Sequence, residues 1–202
     1  MSRLITFGCS FTSGYGLTDS SQAWPVVLGK LIKRTVVNKS IPGSSNLEIL
    51  NNILSFKFKE DDIVVVGWTY CHRDIVFNKL LPDIRISPGR DSTLFKKWTE
   101  LHSNYDNNVR AGIYIHHAEL YMNSIGIKHC NFWAPSYADS ILDKILDSVA
   151  GQYLGSIPKF VGKNTLYSNI LNIVDLASDN SHPGPISHSI AAEKLYKIIN
   201  EK

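Results

Sequence analysis

The run Ile63-Val64-Val65-Val66 constrains the fold of this chain more than any other feature. Four β-branched residues in succession, with no polar residue among them, suit a strand covered on both faces. That is the situation of an interior strand in a parallel sheet. The charged turn Lys59-Glu60-Asp61-Asp62 precedes the run and marks its start. Further strands are predicted over Arg3–Phe7, Thr35–Asn38 and, after Gly126, Ile127–Phe132. Helical patterns fall between them. Ser21–Lys33 carries Trp24, Val27, Leu28 and Leu31 at helical spacing, with Pro25 tolerated in the first turn. Ser44–Leu54 has Ser44 or Ser45 as a cap and Leu47, Ile49, Leu50, Ile53 and Leu54 as its apolar positions. Val109–Asn123, Asp139–Val149 and the stretch from Pro185 to the end also read as helices; the last buries Ile190, Ala191, Leu195, Ile198 and Ile199. Strands alternating with helices place the chain in the α/β class, with a parallel sheet covered on both faces.

The chain has 202 residues, enough for one domain over residues 1–202, and no repeat, linker or low-complexity stretch divides it. Its net charge is only +3 and it has no lysine or arginine block, so nucleic-acid binding gains no support. No apolar run approaches the roughly 20 residues of a membrane helix. The N-terminus reads as a strand, without the basic start and apolar stretch of a signal peptide. Three cysteines, an odd and sparse number, predict reduced thiols in a cytoplasm.

In parallel α/β sheets, sites lie at the carboxyl ends of the strands. Ser10, the segment around Gly43, and Gly67 to Tyr70 each follow a predicted strand, so all three are expected at one edge. Near the other end of the chain lies Asp179-Asn180-Ser181-His182. A serine hydroxyl is a poor nucleophile until a histidine takes its proton, and a carboxylate can hold that histidine in place. Ser10, His182 and Asp179 therefore form a candidate kit for acyl transfer. The rival reading is turn chemistry alone, with Asp179 capping the final helix and His182 merely exposed. Arg73 suits either an acidic group on a substrate or a surface salt bridge. Cys71–Asn108 and Gly151–Lys163 lack clear periodicity and are expected to form lids or substrate walls.

These segments resemble the SGNH hydrolases, also called GDSL-type esterases. The family's opening block, Gly-Asp-Ser-x-Thr, is matched by Gly8-Cys9-Ser10-Phe11-Thr12, with cysteine in place of the aspartate. The glycine after strand two is matched by Gly43 in the loop Asn38–Asn46, and the closing Asp-x-x-His by Asp179–His182. In the third block, Gly67-Trp68-Thr69-Tyr70, threonine stands where the family has its oxyanion asparagine. The opening block and the Gly-Trp-Thr segment also resemble a divergent branch from phages and bacteria. The resemblance implies a three-layer α/β/α sandwich, flavodoxin-like, with a parallel sheet of about five strands. It implies Ser10 as nucleophile, His182 as base and Asp179 as its orienting group. Gly43 would donate its backbone N–H to the oxyanion, with Thr69 or Asn46 as a further donor. The expected substrate is a small ester, an acetyl or short acyl group on a carbohydrate, with no cofactor.

Other chemistries lack their motifs. There is no Gly-x-Ser-x-Gly elbow, no phosphate-binding loop and no Gly-x-Gly-x-x-Gly after a strand. Cys71-His72, His116-His117 and His129-Cys130 match no zinc spacing, so no metal site is expected. The four tryptophans read as core and pocket walls. Three alternatives to hydrolysis of an ester stay open: a binding or structural protein that keeps the fold without the reaction, an O-acyltransferase using the same triad, and a peptidase or amidase.

Overall fold

A computed structural model describes residues 2–87, 92–134, 166–167 and 170–201. Among the described residues, five parallel strands form the main sheet: β1 (Arg3–Gly8), β2 (Thr35–Asn38), β3 (Ile63–Trp68), β6 (Lys128–Trp133) and β7 (Leu166–Tyr167). Their order is β2-β1-β3-β6-β7, which is flavodoxin-like. The predicted class and strand number therefore stand. The β-branched run is the middle strand, and its alternation divides the core. Val64 and Val66 face one layer with Ile5 and Phe7, under α3 (Asn46–Leu54) and α5 (Asn104–Ser124). Ile63 and Val65 face the other with Leu4, Cys130 and Phe132, under α2 (Trp24–Leu31) and α6 (Pro185–Glu201). Both faces are thus apolar along β3, and each side chain so buried contributes about 1.5–3 kcal/mol.

Helix ends follow their local chemistry. Ser45 caps α3, its hydroxyl accepting from the Glu48 N–H at 3.2 Å. The predicted helix over 21–33 is interrupted: a 3₁₀ turn spans Ser20–Gln22, Ala23 is extended, and α2 then starts at Trp24. Pro25 in the first turn of α2 has no N–H to satisfy, which favours a fresh helix start there. The predicted helix over 139–149 and the segment 151–163 lie outside the described residues.

The region from Cys71 to Asn108 is more ordered than its sequence suggests. β4 (Asp74–Val76) and β5 (Ile84–Ile86) form a small antiparallel ribbon, followed by α4 (Ser92–Leu101) and the first turn of α5. Strands of three residues are too short for alternation to register. The ribbon is fastened to α3 by a two-pronged ion pair, Arg85 Nε to Glu48 Oε2 at 2.9 Å and Nη2 to Oε1 at 2.5 Å. α5 buries Asn107 and Asn108, which masks its helical period.

His188 ties α6 to α2. Its Nδ1 accepts from the Trp24 N–H at 3.2 Å, so the neutral ring carries its proton on Nε2, which is buried without a partner. Burial, with a smaller contribution from His182, pushes its pKa down to about 4, against the opposing pull of Asp175. The unfolded histidine titrates near 6.5, so below that pH the unfolded chain binds a proton that the native chain refuses until about 4. Stability should fall between these limits by on the order of 3 kcal/mol from this residue. Urea titrations at pH 7 and pH 4.5 should show a smaller loss in His188→Gln than in the unaltered protein. Equal losses would mean that another group governs acid stability.

Candidate active site

The site is assembled at the carboxyl edge of the sheet, where β1 and β3 diverge to their two sides. Gly8 and Gly67 are register partners at the ends of these strands. The chain turns after Gly8 into α1 (Ser10–Ser13), a single turn whose first residue is Ser10. Thr12, in that turn, folds its side chain back over both glycines. A Cβ on Gly67 would lie 2.7 Å from Thr12 Oγ1, and one on Gly8 would be closer still. This close approach is the physical reason for glycine at both positions. Ser10 is buried but for 5% of its surface. As the first residue of the turn, its N–H has no partner inside α1.

The loop after β2 is bound to the same edge. Lys39 N–H donates to Thr6 O at 2.7 Å and Ile41 N–H to Gly8 O at 3.0 Å. Asn38 Nδ2 donates to Thr12 O at 3.2 Å. Gly43 follows with φ of 81°, in the left-handed region that favours glycine. Asn46, the first residue of α3, clamps the loop after β3. Its Oδ1 accepts from Thr69 N–H at 2.8 Å and its Nδ2 donates to Thr69 O at 3.1 Å. Both Asn46 and Thr69 are buried. Arg73 Nη1 donates to Thr69 Oγ1 at 3.1 Å, so the hydroxyl accepts there and keeps its own hydrogen to donate elsewhere.

The loop before α6 carries the remaining pair. His182 Nδ1 lies 2.5 Å from Asp179 Oδ2, and Asp179 Oδ1 accepts from the N–H groups of Ser181 and His182, each at 3.1 Å. A carboxylate only accepts, so Nδ1 carries the proton and Nε2 offers its lone pair. These bonds, against the opposing cost of burial, hold the Asp179 carboxyl down at about 2. Asp179 does not cap α6. Asp175 does, accepting from Ile186 N–H at 3.0 Å and Ser187 N–H at 2.7 Å. The turn-chemistry reading assigned that duty to Asp179, and the structure gives it to a residue four positions earlier.

Contacts with the segment that follows Ser10 hold this pair in place. The His182 ring stands edge-on to Phe11, centroids 5.6 Å apart, and 5.1 Å from Tyr15. Gly16 O accepts from Ser178 N–H at 3.1 Å and from Ser178 Oγ at 2.7 Å. No bond between Ser10 Oγ and His182 is present among the described residues; such bonds often tighten only with substrate in place. Cys71 offers no competing nucleophile, because burial pushes its thiol up to about 12.

No family model matches the chain, and no curated protein matches it. Solved structures do. TesA aligns over 98% of both chains at 15% identity, with a TM-score of 0.62. A member of the lipolytic protein G-D-S-L family from Veillonella parvula aligns over the full length of both at 16% identity and a TM-score of 0.53. This chain has the SGNH-hydrolase fold. An acetyl xylan esterase, Est2A from Butyrivibrio proteoclasticus, shares that fold with a TM-score of 0.61 at 12% identity, over 99% of this chain and 64% of its own.

Within the SGNH fold, one residue at the site went unnoticed in the sequence. Gly16 has φ of 86°, and a Cβ there would lie 2.8 Å from Asp179 Cγ and Oδ2. Its only sequence signal is the pair Gly14 and Gly16 just after the serine turn. Gly16→Ala should strain the backbone by about 1–2 kcal/mol and displace the Asp179 carboxylate. With Asp179 in the orienting role expected of it, that shift should cost up to about 10²-fold in rate. Esterase kinetics with a melting curve would test this; an unchanged rate would show that Asp179 tolerates displacement.

Proposed function

We propose that this protein is a serine-dependent ester hydrolase acting on a small ester, an acetyl or short acyl group on a carbohydrate. Ser10 Oγ attacks the ester carbonyl while His182 Nε2 takes the hydroxyl proton. Asp179 holds the ring and stabilises the imidazolium. The oxyanion is met by the backbone N–H groups of Ser10 and Gly43 and by the Thr69 hydroxyl, with Asn46 bracing Thr69 and keeping one amide hydrogen of its own. The imidazolium gives its proton to the departing alcohol, leaving an acyl-enzyme that water cleaves with His182 again as base. Cys9, Cys71 and Cys130 are free thiols, which suits a cytoplasmic setting. No helix among the described residues is long and apolar enough to cross a membrane.

The observation that carries this reading is the Asp179–His182 bond of 2.5 Å, packed against the turn that presents Ser10. A fluorophosphonate probe followed by peptide mass spectrometry tests it. The expected adduct is on Ser10 and is lost in Ser10→Ala and His182→Ala. A folded protein that forms no adduct sinks the hydrolase reading. One observation favours a second reading, a phage-associated binding or structural component without the reaction: threonine stands at 69 where the SGNH pattern has asparagine. An active serine that releases acyl groups to a sugar hydroxyl faster than to water would instead make the protein an O-acyltransferase.

A further inference from the structure

Arg73 is a cation that no carboxylate answers among the described residues. Arg3 pairs with Asp62, Arg85 with Glu48, and Arg110 with Asp106 and Asp74, while Arg34 donates to the backbone carbonyls of Arg3 and Asp61. Arg73 has instead one bond, from Nη1 to the neutral Thr69 Oγ1, and its Nε is buried without a hydrogen-bond partner. A buried charged donor left unpaired is costly unless a ligand or water completes it.

Its position is specific. Cζ lies 4.8 Å from the centre of the Tyr70 ring, which fixes the guanidinium by stacking. Tyr70 meets Phe11 edge-on at 6.3 Å, and Phe11 meets His182 at 5.6 Å. A row of aromatic rings therefore leads from the proposed base to the unanswered cation. With Nη1 turned to Thr69 and Nε enclosed, Nη2 is the donor left to meet a ligand. An N–H of a charged guanidinium meets an anionic oxygen in a charge-assisted hydrogen bond.

We propose that Arg73 binds an anionic oxygen group, a carboxylate or a phosphate, carried by the substrate away from the scissile bond. The subsite rests on the hydrolase reading for its role in turnover, but not for its binding of anions. It makes the protein selective for charged esters over neutral ones of the same length. Arg73 also holds Thr69, so the decisive readout is the ratio between substrates rather than the absolute rate.

Calorimetry on Ser10→Ala with glutarate, inorganic phosphate and uncharged glutaramide reads binding without turnover. The expected result is binding of glutarate or phosphate and none of glutaramide. The anion should bind about tenfold or more weakly when Arg73→Met is added, as loss of a charged hydrogen-bonded partner predicts. Whichever anion binds more tightly names the source. In turnover, kcat/KM for an aryl glutarate monoester should exceed that for the aryl hexanoate by about tenfold, mainly through KM. Arg73→Met should bring the ratio close to one, and Arg73→Lys, which keeps the charge without the plane that stacks on Tyr70, should retain part of it. Anion binding that depends on Arg73 in a protein whose Ser10 forms no fluorophosphonate adduct supports the subsite and removes the hydrolase reading. A labelled Ser10 with no anion binding and no preference between the two esters overturns the subsite and leaves the hydrolase reading intact.

Discussion

Replacing Ser10 by alanine is expected to lower ester kcat/KM by about 10⁴-fold or more, equivalent to roughly 5 kcal/mol of transition-state stabilisation. His182→Ala should match it, and the double variant should be little worse than either, because the proposed nucleophile and base would act as one unit. Asp179→Asn is the more discriminating change. An asparagine facing Nδ1 can donate as well as accept, so it permits the tautomer with the proton on Nε2, where it blocks attack. A loss of up to about 10⁴-fold is expected with the fold intact. Stability provides a control. The Asp179 carboxyl sits at about 2 in the native protein, below its unfolded value of about 3.9. Its contribution is present above the unfolded value and is lost as pH falls through the folded one. The melting-temperature gap between Asp179→Asn and the unaltered protein should therefore be wider at pH 7 than near pH 2. Rates that survive Asp179→Asn would remove the carboxylate from the mechanism.

Trp68→Ala is the substitution expected to damage the fold most. Trp68 is fully buried at the end of β3 and packs in the layer with Phe7, Ile49, Ala111 and Trp133. Truncating such a side chain costs about 3–5 kcal/mol. Its indole also donates from Nε1 to Asn131 Oδ1 at 3.2 Å. Asn131 in turn donates to Glu119, whose other oxygen lies 2.9 Å from His129 Nε2. Removing the indole leaves a buried acceptor unpaired, a further cost of about 1–3 kcal/mol. Set against a typical total of about 5–15 kcal/mol, the sum leaves the variant close to unfolding. Trp68→Phe separates the two causes, keeping most of the volume and losing only the donor. Urea unfolding should rank the unaltered protein above Trp68→Phe, and that above Trp68→Ala. An alanine variant as stable as the phenylalanine one would show that volume at this position matters little.

Much of the fold is legible along the chain because local rules govern it. The β-branched run Ile63–Val66 requires cover on both faces wherever it sits, and the layers under α3 and α6 supply it. Ser45 caps α3 through its own hydroxyl. The segment around β4 and β5 is not legible, because its strands are three residues long and its attachment is an ion pair between Arg85 and Glu48, distant in sequence.

The sequence by itself determined the residue types, their order and the alternation that makes a parallel sheet, since each of these rests on chemistry within a turn or a strand. It put Ser10, Asp179 and His182 forward as candidates by type and order. Only the tertiary structure decided that Asp175 rather than Asp179 caps α6, that Gly16 makes room for the Asp179 carboxylate, and that Thr69 is gripped by Asn46 and Arg73. Each of those depends on contacts between residues distant in sequence or on the path of a loop.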